Sequence, residues 1–311
     1  MENVTISIVC DVFNHEPYLR QCLDGFVMQK TDFPFEILIS DDASTDKSAD
    51  IIKEYVSKYP SLFKPIYQSE NQFSQGVGIW SDIQFPRATG KYIAICEGDD
   101  FWTDPLKLQK QVDILEADES LMACCTNSSL VDKEGTLIEE KLSRPVVPDN
   151  RGGKYTLREF CEQNHTYPTA SMVFRRTHFD EICEKFRKTR NPFLGDWTLW
   201  IAILCFGNMY YLDEVTCAYR INPTSVTHSK VDERRLGLAK ANFKILPAVA
   251  SILPDEYQDI KDDLTKNTSW LWFQLANAYR HLHKYFHMAG CILICGIQNP
   301  KYLYSKLRNR K

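Results

Sequence analysis

The sequence predicts an α/β fold with a mixed, mainly parallel sheet flanked by helices and a C-terminal helical appendage. Short apolar runs rich in β-branched residues alternate with segments whose apolar residues recur at helical spacing. Polar residues follow three of these apolar runs directly, and ligands bind at the carboxyl ends of strands in such sheets. After residue 230 helical spacing dominates and the alternation ends.

The predicted elements follow one another in regular order over the first 130 residues. Strands are expected at residues 4–10, 35–40, 63–68, 91–96 and 121–126. Helices are expected at residues 19–29 and 106–115, and another after the turn 41–46, with its apolar positions at Ile51, Ile52, Tyr55 and Val56. Further strands are expected at 170–175, 209–212 and 215–220, with a helix at 197–206. Residues 231–290 are expected to be helical with breaks near Pro247 and Pro254, because proline ends or kinks helices.

The composition is that of a globular protein with enough chain to bury a substantial core. Hydrophobic residues make up 44% of the 311 residues, charged residues 25%, and the formal net charge is −4. These values exclude a disordered chain and a basic nucleic-acid-binding domain. The charge is distributed unevenly, with −11 over residues 1–229 and +7 over residues 230–311.

The cysteines and the first residues favour a cytoplasmic location. The 11 cysteines are odd in number and lie mostly in apolar runs, which is typical of buried thiols in a reducing compartment. Residues 1–16 lack the basic segment that begins a signal peptide. The longest apolar run, residues 288–297, is shorter than a bilayer-spanning helix.

The acidic segment Glu97-Gly98-Asp99-Asp100 follows the fourth predicted strand and has two interpretations. The sequence has no G-x-G-x-x-G after the first strand and no G-x-x-x-x-G-K-[ST], which disfavours a dinucleotide site or a P-loop. Phosphates can instead be held by Mn²⁺ or Mg²⁺ on carboxylates, and Gly98 lets the backbone bend there. The alternative is an acidic turn at the start of the next helix.

Two further features at strand ends also admit two interpretations each. In residues 41–46, Asp, Ser and Thr can cap a helix, or an acid can accept hydrogen bonds from a base or a ribose. Phe13 follows the first strand and can either stack on a base or belong to the core.

Four segments, taken together and in this order, resemble glycosyltransferase family 2, whose members have the GT-A fold. The segments are ISIVCDVFNHEPYLRQCL, FEILISDDASTDKSADIIKEY, ATGKYIAICEGDDFWTDPLKLQKQVDIL and LGDWTLW. Their span covers most of residues 4–200. The resemblance implies a catalytic domain at residues 1–229, with a nucleotide-binding half at about 1–130 and an acceptor half at about 131–229. A C-terminal helical region at 230–311 follows.

The resemblance implies roles in donor binding for three residues. Phe13 stands where the family usually has Tyr and would stack on the uracil of the donor. Asp42 would hydrogen-bond the base. Arg87 precedes a stretch that lies along the donor site in the family.

The acids at 97–100 fill the region of the family's D-x-D motif, with Glu97 in place of the usual first Asp. Asp99 is expected to be the metal ligand, with Asp100 as the next candidate and Glu97 among the donor-binding residues. His228 is a further candidate ligand, because some relatives place a His near there against the diphosphate or the metal. The implied cofactor is Mn²⁺ or Mg²⁺.

Asp196 occupies the position of the family's catalytic base, where Gly195 replaces a preceding acid. A positioned carboxylate would take the proton of an acceptor hydroxyl as the new bond forms. The alternative role for Asp196 is to cap the following helix, and the two roles are compatible.

The resemblance therefore implies an inverting hexosyltransferase that transfers sugar from a UDP-sugar to a glycan or lipid-linked glycan, in bacterial surface polysaccharide biosynthesis. The Q-x-x-R-W motif of processive synthases is missing, which favours addition of one sugar. Two alternatives remain: another nucleotide-sugar-using enzyme such as a nucleotidyltransferase, or a non-catalytic sugar- or nucleotide-binding module.

The C-terminal segment 264–311 also has two interpretations. It contains eight basic residues and no acidic residue. A solvated basic end on packed helices explains this composition. The alternative is peripheral contact with an anionic membrane, on its inner face, where a lipid-linked acceptor would lie.

Overall fold

The computed structural model describes residues 4–141, 152–163, 167–189, 195–221, 232–266 and 268–308. By its internal contacts the chain divides into two compact units. One is Met1–Arg187 with Ala202–Ile221, and the other is Lys188–Ile201 with Asn222–Lys311. All strands of the described residues belong to the first unit. The predicted domain boundary between residues 229 and 230 lies outside the described residues.

The strands of the described residues form one mixed sheet. They are β1 (Ile6–Val12), β2 (Phe35–Asp41), β3 (Phe63–Tyr67), β4 (Tyr92–Ile95), β5 (Phe101–Trp102), β6 (Leu121–Val131), β7 (Leu137–Glu139), β8 (Gly153–Tyr155), β9 (Val173–Arg175) and β10 (Asn208–Arg220). Their order is β3-β2-β1-β4-β9-β6-β10-β5, with β7 beside β6 and β8 beside β10.

The α-helices of the described residues form two groups along the chain, six before β10 and five after it. The first group is α1 (Leu19–Val27), α2 (Ser48–Lys58), α3 (Lys107–Ala117), α4 (Leu157–Gln163), α5 (Phe179–Thr189) and α6 (Gly195–Leu204). The second group is α7 (Asp232–Ile252), α8 (Gln258–Lys266), α9 (Ser269–His281), α10 (Tyr285–Gln298) and α11 (Pro300–Arg308). Among the described residues, we find no helix with the length and apolarity needed to cross a bilayer.

The parallel part of the sheet sets where the polar strand ends lie. Strand β1 pairs in parallel with β2 on one side and with β4 on the other. These strands are largely buried and mostly apolar, as expected when helices cover both faces of a parallel sheet. In the register of β1 with β2, Val12 is opposite Asp41, so the two strands end side by side. The sequence prediction of an α/β fold with a mainly parallel sheet and helices is confirmed.

Strand β10 corrects the prediction of two separate strands at 209–212 and 215–220. It is continuous from Asn208 to Arg220, with register irregularities against β6 around Val215. Asp213 and Glu214 lie between the two predicted strands, and Asp213 accepts hydrogen bonds from Asn127, Lys141 and Tyr211. These partners satisfy the carboxylate within the strand, so the chain does not need to turn.

The predicted break near Pro247 is wrong, whereas the break near Pro254 is present. Helix α7 contains Pro247 and ends at Ile252. Proline removes one backbone hydrogen bond from a helix, but the neighbouring Leu246, Val249 and Ala250 are buried, and their packing keeps the helix continuous.

The cysteines follow the sequence prediction. All eleven are free thiols, and nine of them are buried. Burial raises the pKa of thiols such as Cys96 and Cys217, in both cases to about 12. They therefore act as small protonated apolar groups of the core.

Candidate functional site

The structure brings the three predicted polar strand ends together at one edge of the sheet. Asp42 follows β2, Phe13 follows β1, and Glu97 follows β4 after one intervening residue. The backbone continues this pairing beyond the strands, because Asp42 N donates to the carbonyl of Val12 at 2.8 Å and Gly98 N donates to that of Asp11 at 3.0 Å. This edge is the candidate site.

Asp42 is buried and its carboxylate is held by the loop that follows β3. Oδ1 accepts from the backbone N–H of Gln72 at 2.7 Å, and Oδ2 accepts from that of Phe73 at 3.1 Å. Its carbonyl accepts from Asn71 Nδ2 at 3.1 Å. A carboxylate has about four acceptor positions, so each oxygen can still accept one more donor. Asp42 therefore fixes the loop and keeps capacity for a ligand.

Phe13 is 44% exposed, so the interpretation that places it in the core is wrong. The next residue, Asn14, has a φ of 56°, a left-handed conformation that Asn tolerates better than most residues. This turn leads the chain away from the strand and leaves the Phe13 ring at the surface, where it is open to stacking.

The loops after β1 and β2 are tied together by hydrogen bonds in both directions. Asn14 N donates to Ser44 Oγ at 2.9 Å, while Thr45 N donates to Asn14 Oδ1 at 2.8 Å. Further along, Glu16 N donates to Asp46 Oδ2 at 2.9 Å. Ser44, Thr45 and Asp46 thus build the turn, and Asp46 Oδ1 also accepts from Ser48 N at 2.9 Å at the start of α2, whereas binding of a base or ribose by Asp42 stays a prediction.

Glu97 is half-buried and its side chain reaches the turn Thr169–Ser171. Thr169 Oγ1 donates to Glu97 Oε2 at 2.6 Å. The carbonyl of Glu97 accepts from the thiols of Cys22 at 3.5 Å and Cys96 at 3.6 Å. The first acid of the segment is therefore fixed at both its side chain and its backbone.

Asp99 and Asp100 have different environments. Asp99 is half-buried, whereas Asp100 is only 3% exposed. Burial, with repulsion from Asp99 and Glu97, raises the pKa of Asp100 well above its ordinary value. The alternative interpretation of this segment as a helical turn does not hold, because β5 separates it from α3. The acidic residue in the turn before α3 is instead Asp104, whose Oδ1 accepts from Leu106 N at 2.8 Å.

Arg220, at the end of β10, anchors this acidic segment. Its backbone N–H donates to Asp100 Oδ1 at 2.8 Å, and its Nε donates to the carbonyl of Asp99 at 2.8 Å. The guanidinium group also lies 4.8 Å from the ring centre of Tyr18 and 5.3 Å from that of Phe101. Sequence reasoning missed Arg220, which lies in none of the family segments; the available signal was a basic residue at the end of a predicted strand.

Asp11 is a second residue that sequence reasoning did not single out. Gln84 Nε2 donates to Asp11 Oδ1 at 3.0 Å. Burial raises the pKa of Asp11 to about 8, against the effect of the Gln84 hydrogen bond, and the nearby carboxylates of Glu97 and Asp42 add to the increase. Asp11 is thus a further carboxyl group of the candidate site, beside the predicted ones.

Arg87 supports this arrangement from the turn Phe85–Arg87. Its Nη1 donates to Gln84 Oε1 at 2.8 Å, and its Nη2 donates to the carbonyl of Lys64 at 2.6 Å. Burial lowers the pKa of Arg87, and the carboxylates of Glu36 and Asp11 oppose that decrease. These contacts position Gln84, whereas direct binding of a donor by Arg87 stays a prediction.

Asp196 lies in the second unit, in the first turn of α6. Its Oδ1 accepts from the backbone N–H of Trp197 at 2.8 Å. Burial raises the pKa of Asp196, which makes its carboxylate a stronger base. This hydrogen bond comes from the next residue and not from two or three residues ahead, as it would for an N-cap, and the role of Asp196 as a catalytic base stays a prediction.

The acids present suit a divalent cation that also binds a phosphate ligand. Among the described residues, no group of three or more His, Cys, Asp or Glu side chains is assembled to hold a metal. Mg²⁺ and similar ions, however, are commonly held by one or two carboxylates together with substrate phosphates. The half-exposed Asp99 fits such a site, with Asp100 beside it. His228 lies outside the described residues.

The sequence pattern described as Glycosyl transferase family 2 matches residues 7–183, more than half of the chain. This chain belongs to glycosyl transferase family 2. Among similar proteins, an uncharacterized protein of Mycobacterium tuberculosis is 35% identical over 233 residues, covering 74% of this chain and 62% of that protein. The chain thus spans less than two thirds of the length of this relative.

A second relative has a more specific name. The putative teichuronic acid biosynthesis glycosyltransferase TuaG of Bacillus subtilis is 24% identical over 226 residues. The match covers 72% of this chain and 82% of TuaG.

Solved structures show which fold this family-2 chain shares. TarS of S. aureus in complex with UDP gives a TM-score of 0.59 at 16% identity, covering 85% of this chain and 70% of that chain. The mannosyltransferase PcManGT from Pyrobaculum calidifontis, in complex with GDP-Man and Mn²⁺, gives 0.57 at 14% identity, covering 99% and 82%. At these identities the likeness establishes the fold alone, and it confirms the predicted GT-A fold.

Proposed function

We propose that this chain is an inverting, metal-dependent, non-processive hexosyltransferase. It moves one sugar from a UDP-sugar to a glycan or lipid-linked glycan in the biosynthesis of a bacterial surface polysaccharide. The observation that carries the proposal is the cluster of Asp42, Glu97 and Asp99 beside the exposed Phe13, at the carboxyl edge of the sheet of a family-2 chain. The UDP bound to TarS supports the donor class, and the name of TuaG supports the pathway class.

In the proposed complex the donor lies across the ends of β1, β2 and β4. The ring of Phe13 stacks on the uracil, while the free acceptor positions of Asp42 take a base N–H. Glu97, already held by Thr169, contacts the donor next to the base. Arg87 adds positive charge near the same edge.

The diphosphate is proposed to bind beside Asp99, with Asp100 as a second carboxylate and His228 as a further candidate ligand. Mn²⁺ or Mg²⁺ held there would neutralise the negative charge that develops on the departing diphosphate. The Mn²⁺ bound to PcManGT supports a divalent cofactor in a protein of the same fold.

Transfer of the sugar requires a base and an acceptor hydroxyl that can approach the anomeric carbon opposite the leaving diphosphate. Asp196 takes the proton of the acceptor hydroxyl while that oxygen forms a bond to the anomeric carbon of the sugar. The bond between this carbon and the phosphate oxygen breaks, and its electron pair leaves with UDP. Because attack and departure occur on opposite faces, the anomeric configuration inverts.

The chemistry of the chain also bears on where the reaction takes place. Eleven free thiols are compatible with a reducing compartment, which supports the proposal of a cytoplasmic enzyme. The proposed donor is a cytoplasmic metabolite. A cytoplasmic enzyme could therefore transfer its sugar to an acceptor on the inner face of a membrane.

The test is release of nucleoside diphosphate from a panel of UDP-sugars and GDP-mannose, with Mn²⁺, with Mg²⁺ and with EDTA. We expect metal-dependent release from one or a few UDP-sugars and none with EDTA. NMR of the product formed on a simple glycan acceptor then shows whether the anomeric configuration has inverted. Equal release with EDTA, retention of configuration, or preference for GDP-mannose would contradict the corresponding part of the proposal.

A further inference from the structure

Helix α10 presents an outward face made of apolar side chains. Its sequence, YFHMAGCILICGIQ, contains no Asp, Glu, Lys or Arg. The exposed fractions are 90% for Phe286, 65% for Leu293 and 74% for Ile297. A surface helix of a globular protein normally carries charged or polar residues on this side. The packing of the second unit therefore does not explain the composition of this face.

The exposed residues form a continuous stripe and not scattered single positions. With about 100° of rotation per residue, positions 286, 290, 293 and 297 fall within an arc of about 60°. Within this fully described helix, the buried residues are Cys291 and Cys295, which face the opposite direction. The inward face thus packs through these thiols together with the partly buried Met288 and Ile292, and the outward stripe stays exposed. Contiguous exposed apolar surface of this kind marks an interaction site.

Helix α11 adds positive charge next to this stripe along the chain. It packs within the second unit through Tyr302, whose ring centre lies 6.2 Å from that of Phe273, and through Leu303, which lies against Gly296. Its exposed residues include Tyr304, Leu307 and three basic side chains: Lys301, Lys306 and Arg308.

Charge complementarity identifies the class of partner. From residue 264 to the end of the sequence there are eight basic residues and no acidic residue. The partner must therefore offer an apolar layer next to negative charge. A second copy of the same surface would bring like charges together, which disfavours self-association. An anionic lipid bilayer meets both requirements.

We propose that α10 and α11 dock on the surface of an anionic membrane. Phe286, Leu293 and Ile297 enter between the headgroups, while Lys301, Lys306 and Arg308 contact lipid phosphates. The 14 residues of α10 extend over about 21 Å, less than the roughly 30 Å of a hydrocarbon core, so the helix lies along the interface. The proposed docking surface is not the basic tail alone. Its main element is the apolar stripe of α10, which inserts between the headgroups.

The inference goes beyond the proposed function and does not depend on it, since docking requires neither donor nor metal. Binding is measured by cosedimentation of the full chain with vesicles of phosphatidylcholine containing 30% phosphatidylglycerol, and with phosphatidylcholine alone. We expect strong binding to the anionic vesicles that weakens in 0.5 M NaCl. Each basic residue at the surface contributes about a fivefold factor to binding.

Two matched double variants separate the α10 stripe from exposed apolar residues in general. Leu293→Ser with Ile297→Ser should reduce partitioning into anionic vesicles at least about tenfold. The control is Leu137→Ser with Ile138→Ser on β7, where both side chains are 54% exposed. The control should change partitioning less than twofold, and thermal unfolding of both variants should match that of the unchanged chain.

A second measurement locates the helix directly. Phe286→Trp should gain fluorescence that brominated lipids quench, whereas Ile138→Trp should not. Absence of binding to anionic vesicles, or equal losses in both double variants, would overturn the proposal. It would also be overturned if sedimentation showed a dimer that Leu293→Ser with Ile297→Ser dissociates, because the stripe would then be a self-association surface.

Discussion

The backbone N–H of Arg220 donates to the buried carboxylate of Asp100 at 2.8 Å, joining the end of β10 to the acidic segment after β4. The guanidinium group extends this link through Nε to the carbonyl of Asp99 and through Nη2 to Gln21 Oε1 at 2.7 Å. It also donates to the carbonyls of Asp132 and Lys133. The Arg220 side chain therefore fixes the backbone of Asp99, the proposed metal ligand.

We therefore predict that Arg220 acts as a positioning residue. Arg220→Met should lower the free energy of unfolding by about 3 kcal/mol, because buried carbonyl groups lose their donors. It should also raise the Mn²⁺ concentration needed for half-maximal activity, and Arg220→Lys should restore part of both losses. Arg20→Lys, at an exposed ion pair with Glu54, is the control and should change neither. An unchanged Mn²⁺ dependence in Arg220→Met would mean that Arg220 is only structural.

Substitutions of the two proposed catalytic carboxylates, Asp196 and Asp99, should have different effects. Asp196→Asn should bind UDP as before but lose transfer by about 10³-fold, because the amide cannot take the proton. Asp99→Ala should instead weaken Mn²⁺-dependent binding of UDP, by at least about tenfold. Calorimetry and product assays on both variants check this, with exposed Asp50→Asn as the control. Full transfer by Asp196→Asn would refute the assignment of the base.

Gly90, two residues before β4, lies directly against the backbone of β1. A Cβ at this position would be 2.6 Å from the backbone N of Ser7 and 2.7 Å from the carbonyl carbon of Ile6. Gly90→Ala should therefore lower the free energy of unfolding by about 3 kcal/mol, because backbone cannot move aside as a side chain can. Gly153→Ala, whose Cβ would meet nothing within 4 Å, should be nearly neutral in the same urea titration. Similar losses in the two variants would show that the close approach is not the cause.

The carboxylate of Glu36 should make stability depend on pH. Burial opposes its ionisation, but Lys64, Ser7 and Thr89 outweigh burial and lower the pKa of Glu36. A lowered folded-state pKa means that the ionised group adds stability above its unfolded pKa of about 4.3. This stability is lost as the pH falls from there through the folded-state pKa.

Glu36→Gln should therefore be about 2 kcal/mol less stable than the unchanged chain at pH 7. The difference should shrink as the pH is lowered from 6 to 3. Chemical unfolding at several pH values measures this, with exposed Glu119→Gln as the control. A difference that stays constant with pH would show that the charge of Glu36 is not involved.

Ala43 is an alanine in a left-handed conformation, with a φ of 60°. An L-residue there costs about 1–2 kcal/mol, whereas glycine adds about 0.4–1 kcal/mol of unfolded-state entropy. Ala43→Gly should therefore raise the free energy of unfolding by about 0.5–1 kcal/mol. Ala289→Gly, in the interior of α10, should lower it by about 1 kcal/mol. Destabilisation of both variants would show that the Ala43 turn stores no strain.

The parts of the site that were predictable from the sequence depend on local signals. Strands β1, β2 and β4 are mostly apolar runs followed by polar residues, so the residue pattern by itself assigns Asp42 and Glu97 to strand ends. Neighbouring parallel strands put those ends at one edge. The positions of Phe13 and Asp99 followed from the same argument, together with the family resemblance.

The remaining parts depend on contacts between distant residues. Arg220 reaches Asp100 across 120 positions, and Thr169 reaches Glu97 across 72. No periodicity or spacing in the sequence encodes such pairs, because the order of strands in the sheet creates them. The wrong prediction of a helix break near Pro247 has the same origin. Packing of the neighbouring apolar residues keeps α7 continuous where local propensity alone predicts an interruption.

The hydrogen bonds between the loops after β1 and β2 have a thermodynamic consequence for ligand binding. Because Asn14 both donates to Ser44 and accepts from Thr45, the two loops form one rigid rim before any nucleotide arrives. A base entering between Phe13 and Asp42 would then lose little free energy to the ordering of the protein. Loosening this rim, as in Asn14→Ala, would weaken nucleotide binding without removing a single atom from the surfaces that touch the base.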